Sequence, residues 1–249
     1  MWPLVLKWIN DNSIDKWTFC YFTTWIINVL TFVVVNTIYC AVYSLNHPFF
    51  EQYKVLKTER WPWIEDREAW RKLMWKSIAL MAFNGTVIFF IVTYALALVS
   101  GYKLTHSLSI EELPDKTTLA WQIAFLIYAE DVGFSSAHRL LHTPYLYKHV
   151  HKVHHTYTQA VGISATYAHP LEYAFGNMLP TGIPCLILGQ RMHFFTFLVF
   201  VVLRIVATTN GHSGYDFPWI AWDMMPLRGT PSYHDFHHSG GDFSGNYSG

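Results

Sequence analysis

The chain has 249 residues, enough for one domain, and only 14% of them are charged whereas 52% are hydrophobic. Ordinary soluble domains carry roughly a quarter charged residues, so this composition favours a chain that sits in a lipid bilayer. The 17 basic and 17 acidic residues balance, which argues against nucleic acid or another polyanion as a partner.

Two long stretches without charge predict the first membrane helices. No Asp, Glu, Lys or Arg occurs from Trp17 to Phe50 or from Ser77 to Tyr102. A helix needs about 20 apolar residues to cross the hydrocarbon layer. Residues 51–76 join these stretches and mix charged with aromatic side chains. We expect this joining segment to be a helix or loop at the membrane surface, with a solvated connector as the alternative.

The second half of the chain begins with a third apolar stretch, residues 117–129. We expect its helix to continue through VGFSSA and to deliver the chain to the first of three histidine clusters. Two further apolar segments flank the tip GQRMH and predict a hairpin of helices. Pro180 and Pro184 are expected to kink or break the first arm of this hairpin.

Eight of the fourteen histidines are concentrated in three short motifs, HRLLH, HKVHH and HDFHH. They are His138, His142, His151, His154, His155, His234, His237 and His238. Spacings of three and four residues place imidazoles on one face of a helix, one turn apart, as a metal clamp requires. We interpret the isolated histidines as ordinary side chains; these are His47, His106, His149 and His193.

Eight imidazoles exceed what one metal ion accepts, since a first-row ion takes roughly four to six ligands and needs an open position for chemistry. Two metals are therefore expected. A zinc hydrolase is disfavoured because Arg139 follows His138 where the HExxH motif has glutamate. A carboxylate-bridged di-iron bundle is excluded because no glutamate has a histidine three residues on. A haem with two histidine ligands would need facing histidines within the apolar spans. Haem is disfavoured because the three motifs lie just outside those spans. The remaining interpretation is a pair of histidine-ligated irons that use dioxygen against an unactivated C–H bond.

These observations predict an all-α fold, a multi-span membrane bundle of about four to five apolar helices with a histidine-rich metal-binding cap. All 249 residues form one domain, with membrane helices in 1–116 and the catalytic part in 117–249. If the histidine motifs share one side of the membrane with residues 51–76, that side carries eleven Lys and Arg residues and the other carries five. Basic residues mark the cytoplasmic face, so the cap is expected to be cytosolic.

The three motifs, together with YAHPLE at 167–172, HSGYDFPW at 212–219 and GNY at 245–247, resemble the fatty acid hydroxylase superfamily. Within it, the chain is similar to the sterol 4-methyl oxidases. The resemblance runs from about Glu130 to Tyr247, and the N-terminal half agrees only in its hydrophobic layout.

The resemblance implies that the eight motif histidines are iron ligands and that His212 is a ninth. His169 is expected as a tenth ligand, with a role at the entry to a helix before Pro170 as the alternative. Carboxylates often orient metal-bound imidazoles by accepting their free N–H. We expect this role for Asp131, Asp216 and Asp235.

The resemblance further implies stepwise oxidation of a sterol 4-methyl group by dioxygen in the membrane of the endoplasmic reticulum. No glycine-rich nucleotide motif occurs in the chain, so electrons are expected from cytochrome b5 or its reductase system. Two alternatives stay open. One is a hydroxylase or desaturase of another lipid, such as a fatty acid, a sphingolipid or another sterol position. The other is a non-catalytic membrane subunit that retains the metal site.

Overall fold

The computed structural model describes residues 2–99, 106–220, 229–239, 245 and 247. Within this part of the chain the only regular elements are helices. The β-type pairing is limited to two isolated bridges, Lys54 to Tyr215 and Ser107 to His193. The predicted all-α fold is thus confirmed.

The first half of the chain forms two long helical passages joined by short helices. The helices are α1 (Trp2–Asp11), α2 (Lys16–Leu45), α3 (Pro48–Glu51), α4 (Pro62–Glu65), α5 (Arg67–Phe83) and α6 (Phe89–Val99). Asp15 caps α2 by accepting a hydrogen bond from the backbone N–H of Thr18 at 2.7 Å, and Asn46 ends it in the left-handed region. A π-helical segment, Asn84–Ile88, joins α5 to α6.

The second half contains the remaining helices. They are α7 (Lys116–Leu141), α8 (Pro144–His149), α9 (Pro170–Glu172), α10 (Leu179–Leu188), α11 (Phe194–Gly211) and α12 (Pro231–Ser239). The predicted hairpin is formed by α10 and α11. Its first arm is irregular, as expected, because a second π-helical segment, Tyr173–Met178, precedes α10 and because Pro184 lies inside that helix.

Among the residues that the structure describes, three helical stretches are long and apolar enough to cross a membrane: Lys16–Leu45, Arg67–Val99 and Phe194–Gly211. Only 6% of the most apolar part of the first stretch is buried within the protein. Side chains such as Val33 and Ile38 are more than half exposed. So large an apolar surface is unfavourable in water, which agrees with a lipid environment.

The expected number of about four to five apolar helices exceeds these three. Helix α7 has 26 residues, which is long enough, but it carries Glu130 and Asp131 in its middle. Helix α10 has only 10 residues. The carboxylate of Glu130 lies 3.0 Å from the guanidinium of Arg204 on α11. This ion pair compensates the charge of Glu130 where α7 packs against α11.

The two ends of the bundle are closed by different segments. At one end Trp2 Nε1 donates to the carbonyl of Leu108 at 3.0 Å, and Ser107 pairs with Met192. At the other end the backbone N–H of Val55 donates to the carbonyl of Gly214 at 3.0 Å. Aromatic side chains of the joining segment also pack there, on the residues that follow α11; they are Tyr53, Trp61 and Trp63, with Tyr215 and Phe217.

The histidine motifs lie at this second end, beside the joining segment. Residues 53–63 therefore lie at the same end of the bundle as the segment around His212, and the expectation that residues 51–76 share one side of the membrane with the histidine motifs stays a prediction. Short helices and a bridge form this segment, as its mixed composition predicts. Which face of a membrane it would occupy remains a prediction.

Candidate metal centre

Nine histidines converge at one end of the bundle in two groups. Site A consists of His138, His142, His151, His155 and His237, and site B consists of His154, His212, His234 and His238. Within each group, one candidate ligand atom per residue lies within 4.8 Å of all the others. The nine are the eight motif histidines together with His212.

The motifs do not each serve one site. Every pair four residues apart stays together: His138 with His142 and His151 with His155 in site A, and His234 with His238 in site B. The third member of a motif goes to the other site, because His154 joins site B and His237 joins site A. The expectation that each motif forms one clamp is thus wrong, and the motifs interlock the two sites.

Local backbone structure explains part of this division. His138 lies in the last turn of α7 and His142 is the residue that caps its C-terminus. The motif HKVHH forms a 3₁₀ helix, His151–Thr156, where an α-helical clamp was expected. The three histidines of that motif are all buried. The last motif lies on α12, and His212 directly follows α11.

Backbone carbonyls fix the tautomer of most of these imidazoles. A carbonyl can only accept, so the ring nitrogen bonded to it must carry the proton. In site B, Nδ1 of His154 donates to the carbonyl of Tyr167 at 3.0 Å. Nδ1 of His212 donates to that of Thr208 at 2.8 Å, and Nδ1 of His238 to that of Tyr157 at 3.1 Å. In site A, Nδ1 of His138 and His237 donates to Tyr247 and Gly245, both at 2.9 Å. Each of these neutral rings therefore directs a bare Nε2 lone pair inward.

The inward nitrogens are too close together for an arrangement of neutral rings alone. Nε2 of His212 lies 3.4 Å from Nε2 of His154, and neither carries a proton to share. The buried Nε2 of His237 has no hydrogen-bond partner among the described residues. Lone pairs that face each other in a buried site repel unless a cation lies between them. The donor set therefore fits metal ions.

The spacing of the nitrogens also suits a metal. Two nitrogens bound to one ion at about 2.0–2.1 Å are separated by about 3.0 Å at a right angle and by about 3.4 Å at the tetrahedral angle. The contacts of His212 and His238 with His234 are 2.9 and 3.2 Å. Those of His138 and His155 with His151 are 3.0 and 3.1 Å. These values span the range that adjacent ligands of one ion occupy.

Burial keeps these imidazoles in the form that binds metals. Burial and, to a smaller extent, the neighbouring imidazoles together lower the pKa of His142 and of His154 to about 4 and the pKa of His212 to about 3. The pKa of His151 is lowered for the same two reasons. Only a neutral imidazole can offer a lone pair, so the cluster is poised for coordination at neutral pH.

Glu172 is a candidate site residue that the sequence interpretation missed. Its Oε1 lies 2.8 Å from Nδ1 of His151, and the residue is 4% exposed. Burial raises the pKa of Glu172 well above its usual value. A signal was available, because Glu172 is the only charged residue between Lys152 and Arg191, and a lone carboxylate in an apolar stretch is usually paired.

The three expected carboxylates have other positions. Asp235 is buried, and its Oδ1 accepts from the backbone N–H of Ala160 at 3.3 Å; burial raises its pKa to about 6. Asp216 accepts a hydrogen bond from the hydroxyl of Ser232. Asp131 lies half-buried on α7, about two turns before His138.

The histidines outside both sites have structural positions. His169 caps the short helix α9, with Nδ1 accepting from the backbone N–H of Leu171 at 3.2 Å, which agrees with the alternative role expected for it. His47 and His193 cap α3 and α11 in the same way. The ring of His106 stacks on Phe197, and that of His149 lies against Tyr145.

A cavity of about 750 Å³ runs through the bundle toward site B. It is lined mainly by apolar side chains of α2, the α5 to α6 stretch, α10 and α11. Thr208 lines it and also supplies the carbonyl that holds His212. Its volume lies within the range of about 300–1,000 Å³ that small-molecule sites occupy. The cavity therefore offers space for an apolar molecule inside the bundle, and it reaches site B only as far as Thr208.

Comparison with known proteins identifies relatives. A model of the family "Fatty acid hydroxylase" matches residues 123–249. A rice protein (Oryza sativa subsp. indica) named very-long-chain aldehyde decarbonylase GL1-8 is 42% identical over 51% of the chain and 46% of its own length. Methylsterol monooxygenase erg25B of Aspergillus fumigatus is 38% identical over 54% of the chain and 46% of its own length.

A match of greater extent involves the C-4 methylsterol oxidase of Candida albicans. It is 32% identical over 76% of the chain and 58% of its own length, so the similarity reaches into the N-terminal half, where only the hydrophobic layout was expected to agree. The chain spans about half the length of the curated relatives that it matches. No solved structure matches.

Proposed function

Because the chain belongs to the fatty acid hydroxylase family, we propose that it is a membrane-embedded, dioxygen-dependent lipid oxygenase with two irons, one in each histidine site. The observation that carries this proposal is the presence of two imidazole groups at the end of a bundle whose apolar cavity reaches Thr208, the residue whose carbonyl holds His212. Two sites of nitrogen ligands next to a lipid-sized cavity suit the oxidation of an apolar molecule. A purely structural metal site would have no use for such a cavity.

The nine histidines of sites A and B would hold the metals, and imidazole suits iron as well as zinc, copper and nickel. Bound there, two irons would supply the activation of dioxygen for attack on an unactivated C–H bond. Neutral imidazoles leave the charge of the metals largely uncompensated. Glu172, 2.8 Å from His151, would offset part of that charge and orient the ring of His151.

The remaining residues position the ligands and the lipid. The carbonyls of Tyr157, Tyr167 and Thr208 hold the outer protons of the site B imidazoles, which keeps the inner nitrogens available. The mainly apolar lining of the cavity would hold the lipid and exclude water from the reacting carbon. An opening between exposed apolar helices would admit a substrate directly from the bilayer.

The substrate we propose is a sterol carrying a 4-methyl group. One relative is named methylsterol monooxygenase and another C-4 methylsterol oxidase, and the second of these aligns with 76% of the chain. A second candidate is the conversion of a long-chain aldehyde, favoured by the 42% identity to the rice decarbonylase. Both candidates use an apolar substrate, so the histidine sites alone do not separate them.

We further propose that cytochrome b5 or its reductase system supplies the electrons, and that the metal end faces the cytosol at the endoplasmic reticulum. The excess of basic residues on the side of the joining segment supports this orientation. The packing of residues 53–63 near the histidines agrees with it.

The test uses the purified protein in lipid nanodiscs, loaded with iron and supplied with cytochrome b5, its reductase and NADH. Separate samples receive a 4,4-dimethyl sterol or a long-chain aldehyde, and products are identified by mass spectrometry. We expect the sterol to gain oxygen at a 4-methyl group, in steps from alcohol to acid. His154→Ala protein and anaerobic samples serve as controls.

Alkane formed from the aldehyde, with no change in the sterol, would favour the second candidate. Iron-loaded protein that transforms neither lipid would contradict both candidate substrates and favour an oxygenase of another lipid or the non-catalytic alternative.

A further inference from the structure

A charged side chain lies in the wall of the apolar cavity. Arg204 belongs to α11, one of the candidate membrane spans, and it lines the cavity. Its side chain is 16% exposed. Ionisable residues within membrane spans are costly, and they often mark the path of a substrate. The bonds that Arg204 makes, and those that it does not make, are therefore informative.

One edge of the Arg204 guanidinium is occupied. Nε donates to Oε1 of Glu130 at 3.0 Å, and Nη2 lies 3.5 Å from Oδ1 of Asn177. A guanidinium carries five N–H groups in a fixed, planar fork. Its other edge, formed by Nη1 and the second N–H of Nη2, has no hydrogen-bond partner among the described residues. Because Glu130 balances the charge of Arg204, the unoccupied edge offers two donors in an ion pair without net charge.

Arg204 lies at the centre of the face that α11 turns toward the cavity. Val201, Ile205 and Thr208 line the cavity as well, and their spacing from Arg204 places all four side chains on one side of the helix. Glu130 lies on α7, and among the described residues that line the cavity none belongs to that helix. The paired edge is thus directed to α7, outside the cavity, while the accessible part of the side chain belongs to the cavity wall.

The hydroxyl groups of the cavity wall offer a lipid few donors. Thr24, Thr93 and Thr181 line the cavity, and each donates to the carbonyl four residues earlier in the chain. Asn28 on α2 adds an uncharged amide to the wall. Hydrogen bonds from a charged donor are about twice as strong as those from a neutral one. A lipid oxygen in the cavity would therefore meet its strongest donor at Arg204.

Arg204 lies in the part of the cavity that is nearest to site B. The cavity follows α11 from Phe194 to Thr208. At 1.5 Å per residue, Arg204 is about 15 Å along the helix from Phe194 and about 6 Å from Thr208. The carbonyl of Thr208 accepts from Nδ1 of the site B ligand His212. A lipid whose oxygen binds Arg204 would thus point its oxygen-bearing end toward site B and extend its hydrocarbon toward Phe194.

We propose that the unoccupied edge of the Arg204 guanidinium binds an uncharged oxygen of the lipid and so sets the direction in which the lipid lies in the cavity. This inference rests on the proposed function and deepens it. The hydroxyl of a 4-methyl sterol and the carbonyl of a long-chain aldehyde both present an oxygen that can accept. In both lipids that oxygen lies beside the carbon to be changed. A carboxylate suits the edge less well, because Glu130 already balances the charge of Arg204 and a further anion would leave net charge in the apolar interior.

The test measures binding to metal-loaded protein without an electron donor, so no turnover occurs. Nanodiscs contain the two members of a lipid pair at equal mole fractions, and native mass spectrometry determines which member the protein holds. One pair is 4,4-dimethylcholestanol with 4,4-dimethylcholestane, and the other is hexadecanal with hexadecane. We expect the wild-type protein to prefer the oxygen-bearing member of at least one pair by about 10- to 100-fold, as a hydrogen bond from a charged donor implies.

The variants remove the donor without leaving a buried charge unpaired. Glu130→Leu combined with Arg204→Met replaces the ion pair by apolar side chains of similar size. We expect this double variant to lose the preference while it binds the hydrocarbon member as the wild type does. Arg204→Lys provides a second variant if the double variant does not fold, because it keeps the charge opposite Glu130 but lacks the planar fork, and it should weaken the preference.

Two controls keep the guanidinium. Glu130→Gln removes only the partner carboxylate, and Asn28→Leu removes another polar side chain from the cavity wall; both should keep the preference. Equal binding of both members of each pair by the wild type, an unchanged preference in the Arg204 variants, or its loss in Asn28→Leu would overturn the inference.

The two lipid pairs also separate this inference from the proposed function. A preference confined to the aldehyde pair would support the role of Arg204 and contradict the sterol substrate. A preference for 4,4-dimethylcholestanol in protein that fails to oxidise this sterol when electrons are supplied would support the role of Arg204 and contradict the proposed oxidation.

Discussion

Sites A and B differ in what holds their imidazoles. Three rings of site B donate to carbonyls of Tyr157, Tyr167 and Thr208, which belong to α11 and to the segment after the second motif. Two rings of site A donate instead to carbonyls of Gly245 and Tyr247, which follow α12. Site A also contains His142, which is only half-buried. The bundle thus shapes site B, whereas site A is completed by a later segment.

The largest effect is expected from loss of a site B ligand. His154→Ala removes a ring that contacts His212 and belongs to a motif shared with site A, so we expect turnover to be abolished and the metal content to fall from about two ions per chain to one or fewer. Elemental analysis and lipid oxidation assays measure both. His149→Ala, which alters a histidine outside both sites, is the matched control. A His154 variant with full metal content and normal turnover would contradict the assignment.

The segment that completes site A gives the next test. Deleting residues 245–247 removes both carbonyls that fix His138 and His237, together with the Tyr247 ring beside His142. We expect one metal to be lost and the other to be retained, with the helical content unchanged. Metal analysis and circular dichroism distinguish this outcome from unfolding. Equal loss from both sites would mean that the two sites are not separable in this way.

Replacing Glu172 tests whether its carboxylate supports metal binding in site A. Glu172→Gln keeps an oxygen near His151 but removes the negative charge, so we expect metal affinity to fall about 10–100-fold. Competition with a chelator measures this change. Asp131→Asn is the control, since it neutralises a carboxylate on α7 that lies about two turns from His138. If both variants lose affinity equally, the effect reflects overall charge and not the contact with His151.

The smallest effect is expected at the opposite end of the bundle. His193 caps α11, with Nδ1 accepting from the backbone N–H of Phe195 at 3.0 Å, and it is 2% exposed. His193→Ala should lower stability by about 1 kcal/mol through loss of this cap. Thermal unfolding measures the loss, and the metal content should remain at the wild-type value. His193→Asn, which can also cap a helix, should restore most of the stability.

Much of the fold could be predicted from the sequence because a helix that crosses a bilayer needs a long apolar stretch. Charge-free stretches of about 20 residues or more predicted the first two spans, and both occur as helices. The third stretch also forms a long helix, α7, but its charged residues set it apart from the three candidate spans. The structure pairs Glu130 with Arg204 across α7 and α11, and no periodic pattern in a single helix reveals a partner on another.

The sequence by itself indicated eight of the nine histidines that gather at the candidate site, because spacings of three and four residues are a local property of helical turns, and the family resemblance added His212. It also indicated that one metal could not take all the histidines. Only the tertiary structure decided how they divide. His154 and His237 cross to the site opposite their neighbours, and Glu172 reaches His151 from a helix 21 residues away. Such contacts depend on how separate segments pack, and packing joins residues whose distance along the chain carries no information about their distance in space.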